Sequence, residues 1–305
     1  MESFPEAMYD FGKHARANFD DEEARLFFQK AVAQNVFDGD AWMALAETEA
    51  RLGNVEKAKE ILLFLEELAA RTVRWKWEQL LLAGELGMQD LFLKHVNFLL
   101  EKKQRVRDII QVLDYHTGGN PEKCLSFLKE SFHTDYFRWL MRWDRTDDAG
   151  LVWNRLENQG SPDKELAADY IHYLVGEKSV PKAAEIRKAY FGVEGISNPG
   201  FESPLERSGF GWRYWGEKNG YWSFDRDNET LSEGKCSLRI TFRGKENLNF
   251  HHLYQIVPVE PQTSYSLSYS RRSRNVTTDQ GPFVEIYGYD VKGFHVKGPM
   301  ITGRS

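Results

Sequence analysis

The sequence predicts a multidomain chain, α first and then β: stacked helical hairpins over 1–192, then an antiparallel β-sandwich over 196–305. Three observations carry this. Asp40–Ala69 reads as two amphipathic helices joined at Leu52-Gly53-Asn54. Residue types of that hairpin recur thirty-four positions away in both directions. At Gly192 the apolar period changes from that of a helix to the two-residue alternation of strands.

In the hairpin, Trp42, Leu45 and Ala46 share one face of the first helix, and Ala58 and Leu62 one face of the second. Small residues let the helices approach, large ones fill the space between them, and Gly53 ends the first helix where a left-handed backbone costs glycine little. One hairpin cannot bury its apolar face alone and needs neighbours. Ala24 and Phe28 stand thirty-four residues before Ala58 and Leu62, Gly87 stands thirty-four after Gly53, and Ala149 and Ala183 are again thirty-four apart.

Taken in order, the first pair places Met8, Phe11 and Gly12 on a packing face, with Asp20 or Asp21 capping its second helix. The third runs Arg74–Gly87 and Asp90–Lys102. Trp75 and Trp77, two apart, cannot share a helix face, so one packs and the other faces a groove or solvent. The fourth spans Val106–Ser131, with Asn120-Pro121-Glu122 opening its second helix. The fifth is short (Tyr136, Trp139, Leu140 and Trp143, then Leu151, Val152 and Leu156). The sixth covers Ser161–Phe191, capped by Ser161 or Asp163.

These residues resemble the tetratricopeptide repeat, most clearly at 39–72. The resemblance implies a helical-hairpin (TPR-like) solenoid whose inner groove holds a protein or peptide, with Asp40, Met43, Glu47, Arg74, Trp77 and Leu81 at groove positions. The lysine–asparagine set with which some relatives clamp a C-terminal carboxylate is absent.

After Gly192, Asn198-Pro199-Gly200-Phe201-Glu202 reads as a turn into strands at Gly209–Trp215, Gly220–Asp225, Ser237–Arg243, Asn249–Val257, Ser264–Arg272 and Phe283–Tyr289. Leu238, Ile240 and Phe242 alternate inward, as do Tyr265, Leu267 and Tyr269. The opening NPGFE, the Trp212 strand, GKCSLRITF (234–242) and QIVPVEPQTSYSLSYS (255–270) resemble jelly-roll carbohydrate-binding modules of families 4 and 9, within the wider galactose-binding-like group. The resemblance implies a jelly-roll β-sandwich, truncated at its C-terminal end, that holds a polysaccharide. Exposed aromatic faces for pyranose rings and planar polar groups for hydroxyls single out Arg213, Trp215, Trp222, His252, Tyr254, Gln255, Arg271 and Glu285. It also implies structural calcium with Glu202 as a ligand. Adjacent His251 and His252 point to opposite faces of a strand and cannot chelate one ion together.

With 305 residues, 41% hydrophobic and 28% charged, the chain can fill two cores. A net charge of −6 gives no footprint for nucleic acid. No apolar run approaches a membrane span, and no signal-peptide pattern follows Met1. The chain reads as cytoplasmic if complete, and as cell-envelope or periplasmic if a fragment of a longer protein. Cys124 and Cys236 are too few and too far apart for a zinc site. No Ser-His-Asp order, HExxH, GxGxxG or phosphate loop is present, and Glu285 with Asp290 is not singled out as a glycosidase pair. The reading is a non-enzymatic scaffold, with repeats for a protein partner and a sandwich for a glycan. The alternative is a protein–protein adaptor in which the sandwich caps the last repeat.

Overall fold

The computed structural model describes residues 5–68, 72–160, 162–205, 208–214, 220–244, 248, 250–251, 253–276, 281–289 and 291–300. Twelve α-helices come first among them: α1 Pro5–Ala17, α2 Asp21–Gln34, α3 Gly39–Arg51, α4 Val55–Leu68, α5 Lys76–Glu85, α6 Gln89–Glu101, α7 Val106–His116, α8 Pro121–Phe127, α9 His133–Arg142, α10 Thr146–Asn158, α11 Lys164–Gly176 and α12 Val180–Phe191. This is the helical-hairpin, tetratricopeptide-like array that the sequence predicts. The helices pack chiefly as α1 on α2, α3 on α4, α5 on α6 and α11 on α12, and α2–α3 and α4–α5 contacts join successive pairs.

Local chemistry sets the boundaries. Asp20, Asp38, Asn120 and Asp163 cap α2, α3, α8 and α11, each accepting a backbone N–H three residues on. Ser161, the other candidate cap for α11, lies outside the described residues. Ala24, Phe28, Ala58 and Leu62, the thirty-four-residue matches, are all fully buried. The turn after the first helix of each pair needs a left-handed residue. Gly53 (φ 79°), Gly87 (φ 70°) and Gly119 (φ 73°) supply it in three pairs, and Phe19 (φ 62°), Asp144 (φ 53°) and Lys178 (φ 61°) in the others. The glycine signature is therefore missing from pairs one, five and six although the turn is not.

The chain forms two compact units, Met1–Leu156 and Glu157–Ser305. The second joins α11 and α12 to the β segments, so the units divide before the α-to-β change at Gly192. Arg187 of α12, 6% exposed, donates to Gly195 O (3.0 Å) and Ser197 Oγ (2.5 Å) and lies over the Phe210 ring. Gly209 N donates to His172 Nδ1 of α11 at 3.2 Å, and Tyr289 Oη to Val175 O at 3.3 Å.

The β segments depart from expectation. The described strands are β1 Arg213–Tyr214, β2 Trp222–Asp227, β3 Ser237–Phe242, β4 Leu253–Tyr254, β5 Glu285–Tyr287 and β6 His295–Lys297. They form three two-stranded antiparallel pairs, β1–β4, β2–β3 and β5–β6. They do not form the two facing sheets of a jelly-roll sandwich. The β2–β3 register matches the alternation, with Leu238, Ile240 and Phe242 opposite Arg226, Phe224 and Trp222. Residues 264–272 carry no strand, and Tyr265, Leu267 and Tyr269 are 40–60% exposed because no second sheet covers them. Among the described residues beyond α12, only Phe210, Trp222 and Ile256 are buried apolar side chains. β6 was not anticipated. No helix among the described residues is long and apolar enough to cross a membrane.

Candidate functional site

The groove positions of α3 turn inward onto their own neighbours. Asp40 accepts from Arg74 Nη2 at 2.5 Å and from Trp75 Nε1 at 2.6 Å, and Glu47 pairs with Arg16 of α1 at 2.6 Å. Met43 is 4% exposed, so it packs in the core and does not line a groove. Its place on the helix face is right, but α3 is covered there. These charges bind one helical pair to the next.

One pair further on, the surface opens. A cleft of about 870 Å³ lies between α5 and α7. The α5 side presents Trp77, Leu81, Gly84 and Glu85, and the α7 side Arg105, Asp108, Gln111, Val112, Tyr115 and His116. Both sets follow helical spacing, so each is one face of its helix. Phe92 of α6 reaches the floor beside Gly84, where a Cβ would come within 3.2 Å of its ring, and His116 stacks on that ring at 4.4 Å. Leu81 is 42% and Tyr115 88% exposed. Arg105, itself left-handed at φ 49°, lies 5.0 Å over Trp77 and 3.5 Å from Asp108.

Of the residues singled out in the sequence, the structure brings Trp77 and Leu81 together here. The α7 residues were missed, although the period points to them. Thirty-four positions beyond Arg74, Trp77 and Leu81 stand Asp108, Gln111 and Tyr115, and all three line the cleft.

A buried polar cluster joins α4, α5 and α6 in the same unit. Lys76, 1% exposed, donates to Glu66, which also takes Lys94 Nζ at 2.8 Å. Burial alone would raise the Glu66 carboxyl, but the bonds from Lys76 and Lys94 outweigh it and hold the group below the usual range. His95, 1% exposed, sits with Nε2 3.4 Å from Glu66. Burial, then the Lys76 charge, push the imidazole down to about 4. A second cluster holds α7, α9 and α10. Arg145 donates to Asp114 (2.7 and 2.8 Å), Asp148 (2.7 Å) and Gly119 O (2.6 Å), while Tyr136 Oη donates to Asp114 at 3.0 Å. Burial pushes the nearby Cys124 thiol up to about 12, so it is inert at neutral pH.

The sugar-site candidates do not converge. Trp222 is 4% exposed, with Phe224 at 4.6 Å and Phe250 at 5.3 Å against its ring, which leaves no face for a pyranose. It borders a hollow of about 420 Å³ with Tyr214, Phe224 and Arg226. Arg213 and Tyr254 are cross-strand partners in β1–β4, and Arg213 donates to Gly209 O. Gln255 gives both ends of its amide to Ser197, accepting from N at 2.8 Å and donating to O at 2.9 Å. Arg271 donates to Pro299 O, and Glu285 lies 3.7 Å from His251 and 3.5 Å from His295. Trp215, His252 and Asp290 lie outside the described residues.

Glu202 Oε1 accepts the backbone N–H groups of Lys235 (2.7 Å) and Cys236 (3.4 Å), anchoring the turn before β3. Calcium takes six or more oxygens. Among the described residues no group of three or more His, Cys, Asp or Glu is placed to hold a metal ion.

No protein-family model and no curated protein matches the chain. Solved structures similar to it include Pseudomonas aeruginosa pilF (13% identity, 62% of this chain and 92% of that one, TM-score 0.34). The MamA RS-1 ArsTM double mutant shares 12% identity over 50% of this chain and 93% of that one, at TM-score 0.33. A thermophilic TPR protein of Thermus thermophilus shares 17% over 62% and 91%, at TM-score 0.26. At TM-scores this low the likenesses carry no weight for function, and the helical-hairpin architecture stands on the packing described above.

Proposed function

We propose that the chain is a non-enzymatic scaffold that holds a protein partner in the cleft between α5 and α7. The observation that carries this is the open apolar lining, Leu81 on α5 and Tyr115 on α7 above all. The position thirty-four residues before Leu81 is instead Glu47, which pairs with Arg16. Extended peptides and helices bind such grooves through a few apolar anchors.

The β segments serve as a cap on the last helical pair. Arg187, His172 and Tyr289 tie the two together. This favours the adaptor over the glycan-holding reading, because Trp222, one of the rings singled out for sugar, is closed by its neighbours.

The test is site-specific photo-crosslinking in cells from position 115, with position 122 on α8 as the off-cleft control. A discrete adduct at 115 that is absent at 122 is expected. It should disappear when the probe at 115 is combined with Leu81→Ser, a change at an exposed side chain that spares the core. Equal labelling at both positions, or an adduct indifferent to Leu81→Ser, rejects the cleft.

A further inference from the structure

The charge left over in the cleft says which peptide it takes, granted that the cleft binds protein at all. Three of its lining side chains carry permanent charge: Glu85, Arg105 and Asp108. Arg105 already has partners within the chain, the Asp108 carboxylate at 3.5 Å and the face of the Trp77 ring, over which its guanidinium lies at 5.0 Å. Asp108 is used in the same pair. Glu85, exposed at the end of α5, has no ion-pair partner among the described residues. It follows Gly84 directly and Leu81 by one helical turn. At Gly84 the buried Phe92 ring packs close against the helix backbone, which leaves the flanking Leu81 and Glu85 side chains as what α5 presents to the cleft.

We infer that the cleft binds a polypeptide segment carrying a bulky apolar side chain beside a lysine or arginine. The apolar group sits in the cleft against Leu81, Val112 and Tyr115. The cation meets Glu85 at the rim. An acidic residue in that place would face an unpaired carboxylate, and like charges across an interface select against a partner. The apolar anchor supplies affinity and Glu85 supplies discrimination between segments of similar hydrophobicity.

The experiment uses the full chain and fluorescein-labelled peptides on a Gly-Ser background. Each carries one Leu or Phe with a neighbouring Lys, Gln or Glu, and polarisation reads binding. The Lys peptides are expected to bind about fivefold tighter than the Gln peptides, and those about fivefold tighter than the Glu peptides, as suits a rim ion pair. Glu85→Lys should invert the order of Lys and Glu peptides while leaving the Gln peptides within about twofold. That variant places a cation in the last turn of α5, where the helix dipole favours it. A charge order that persists in Glu85→Lys, no order in the native protein, or no saturable binding by any peptide overturns the inference. The two readings fail separately. A cross-link at 115 that Leu81→Ser abolishes, with no charge order among peptides, removes only the role of Glu85. Gln-peptide binding that survives the Leu81→Ser/Tyr115→Ala double variant, read without the probe, removes the cleft itself.

Discussion

His95 makes the stability of the helical unit depend on pH in a calculable way. It is buried between α4, α5 and α6 with its pKa lowered from 6.5 to about 4. The unfolded chain therefore takes up a proton near pH 6.5 that the folded chain refuses until near pH 4. Where the unfolded state binds more protons, stability falls as pH falls, so the loss runs from about pH 6.5 down to about pH 4. Between pH 8 and pH 5 this amounts to about 2 kcal/mol at 1.36 kcal/mol per pH unit. The lowered Glu66 carboxyl acts in a different window. Its contribution is present above the unfolded value of 4.5 and is lost only below that pH. Urea unfolding of the native chain and of His95→Gln, each at pH 8 and pH 5, isolates the imidazole. The native chain should lose about 2 kcal/mol more than the variant over that interval. Parallel pH profiles for the two proteins would refute the reasoning, because they would mean that His95 is solvated or already charged in the folded state.

Lys178→Gly and Asp144→Gly should each stabilise the chain by up to about 1 kcal/mol by relieving a left-handed residue, whereas Gly53→Ala and Gly87→Ala should cost about 1–2 kcal/mol, all read by thermal unfolding. Gln255→Ala removes both hydrogen bonds to Ser197 and should cost about 1–3 kcal/mol, with amide exchange rising around 195–197 and 253–256. Adding calcium or a chelator should leave the melting temperature unchanged, while Glu202→Ala should loosen the 234–236 turn by the same exchange measurement. Calcium-dependent stabilisation would overturn that assignment.

Much of the helical part was legible because helix packing repeats one geometric problem, and the chain answers it with the same residue types at one period. Ala24, Phe28, Ala58 and Leu62 could be placed in a core from spacing alone. The weaker pairs were hidden where Phe19, Asp144 and Lys178 occupy the turn that glycine marks elsewhere. Half of the cleft was legible on α5. The α7 half was not, because its residues look ordinary until set against those thirty-four positions earlier on α5. In the β part, alternation in Ser264–Arg272 predicted a strand that is absent, because alternation holds no information about what would cover it. Met43 failed for the related reason that helix spacing gives a direction and not the neighbour standing there. Trp222 failed because sequence counts aromatic rings without showing which of them stack on each other.

Three buried apolar side chains among the described residues are a small share for the segment that follows α12. That segment leans on Arg187, His172 and Val175 for its order. During synthesis the helices leave the ribosome first. The later strands therefore meet a finished surface to settle on, and the last helix acts as their template. A gene cut at Gly192, where composition changes most sharply, would separate the strands from that template. The compact unit that holds the strands begins at Glu157 and so carries α11 and α12, one helical pair upstream of where the alphabet of the chain changes.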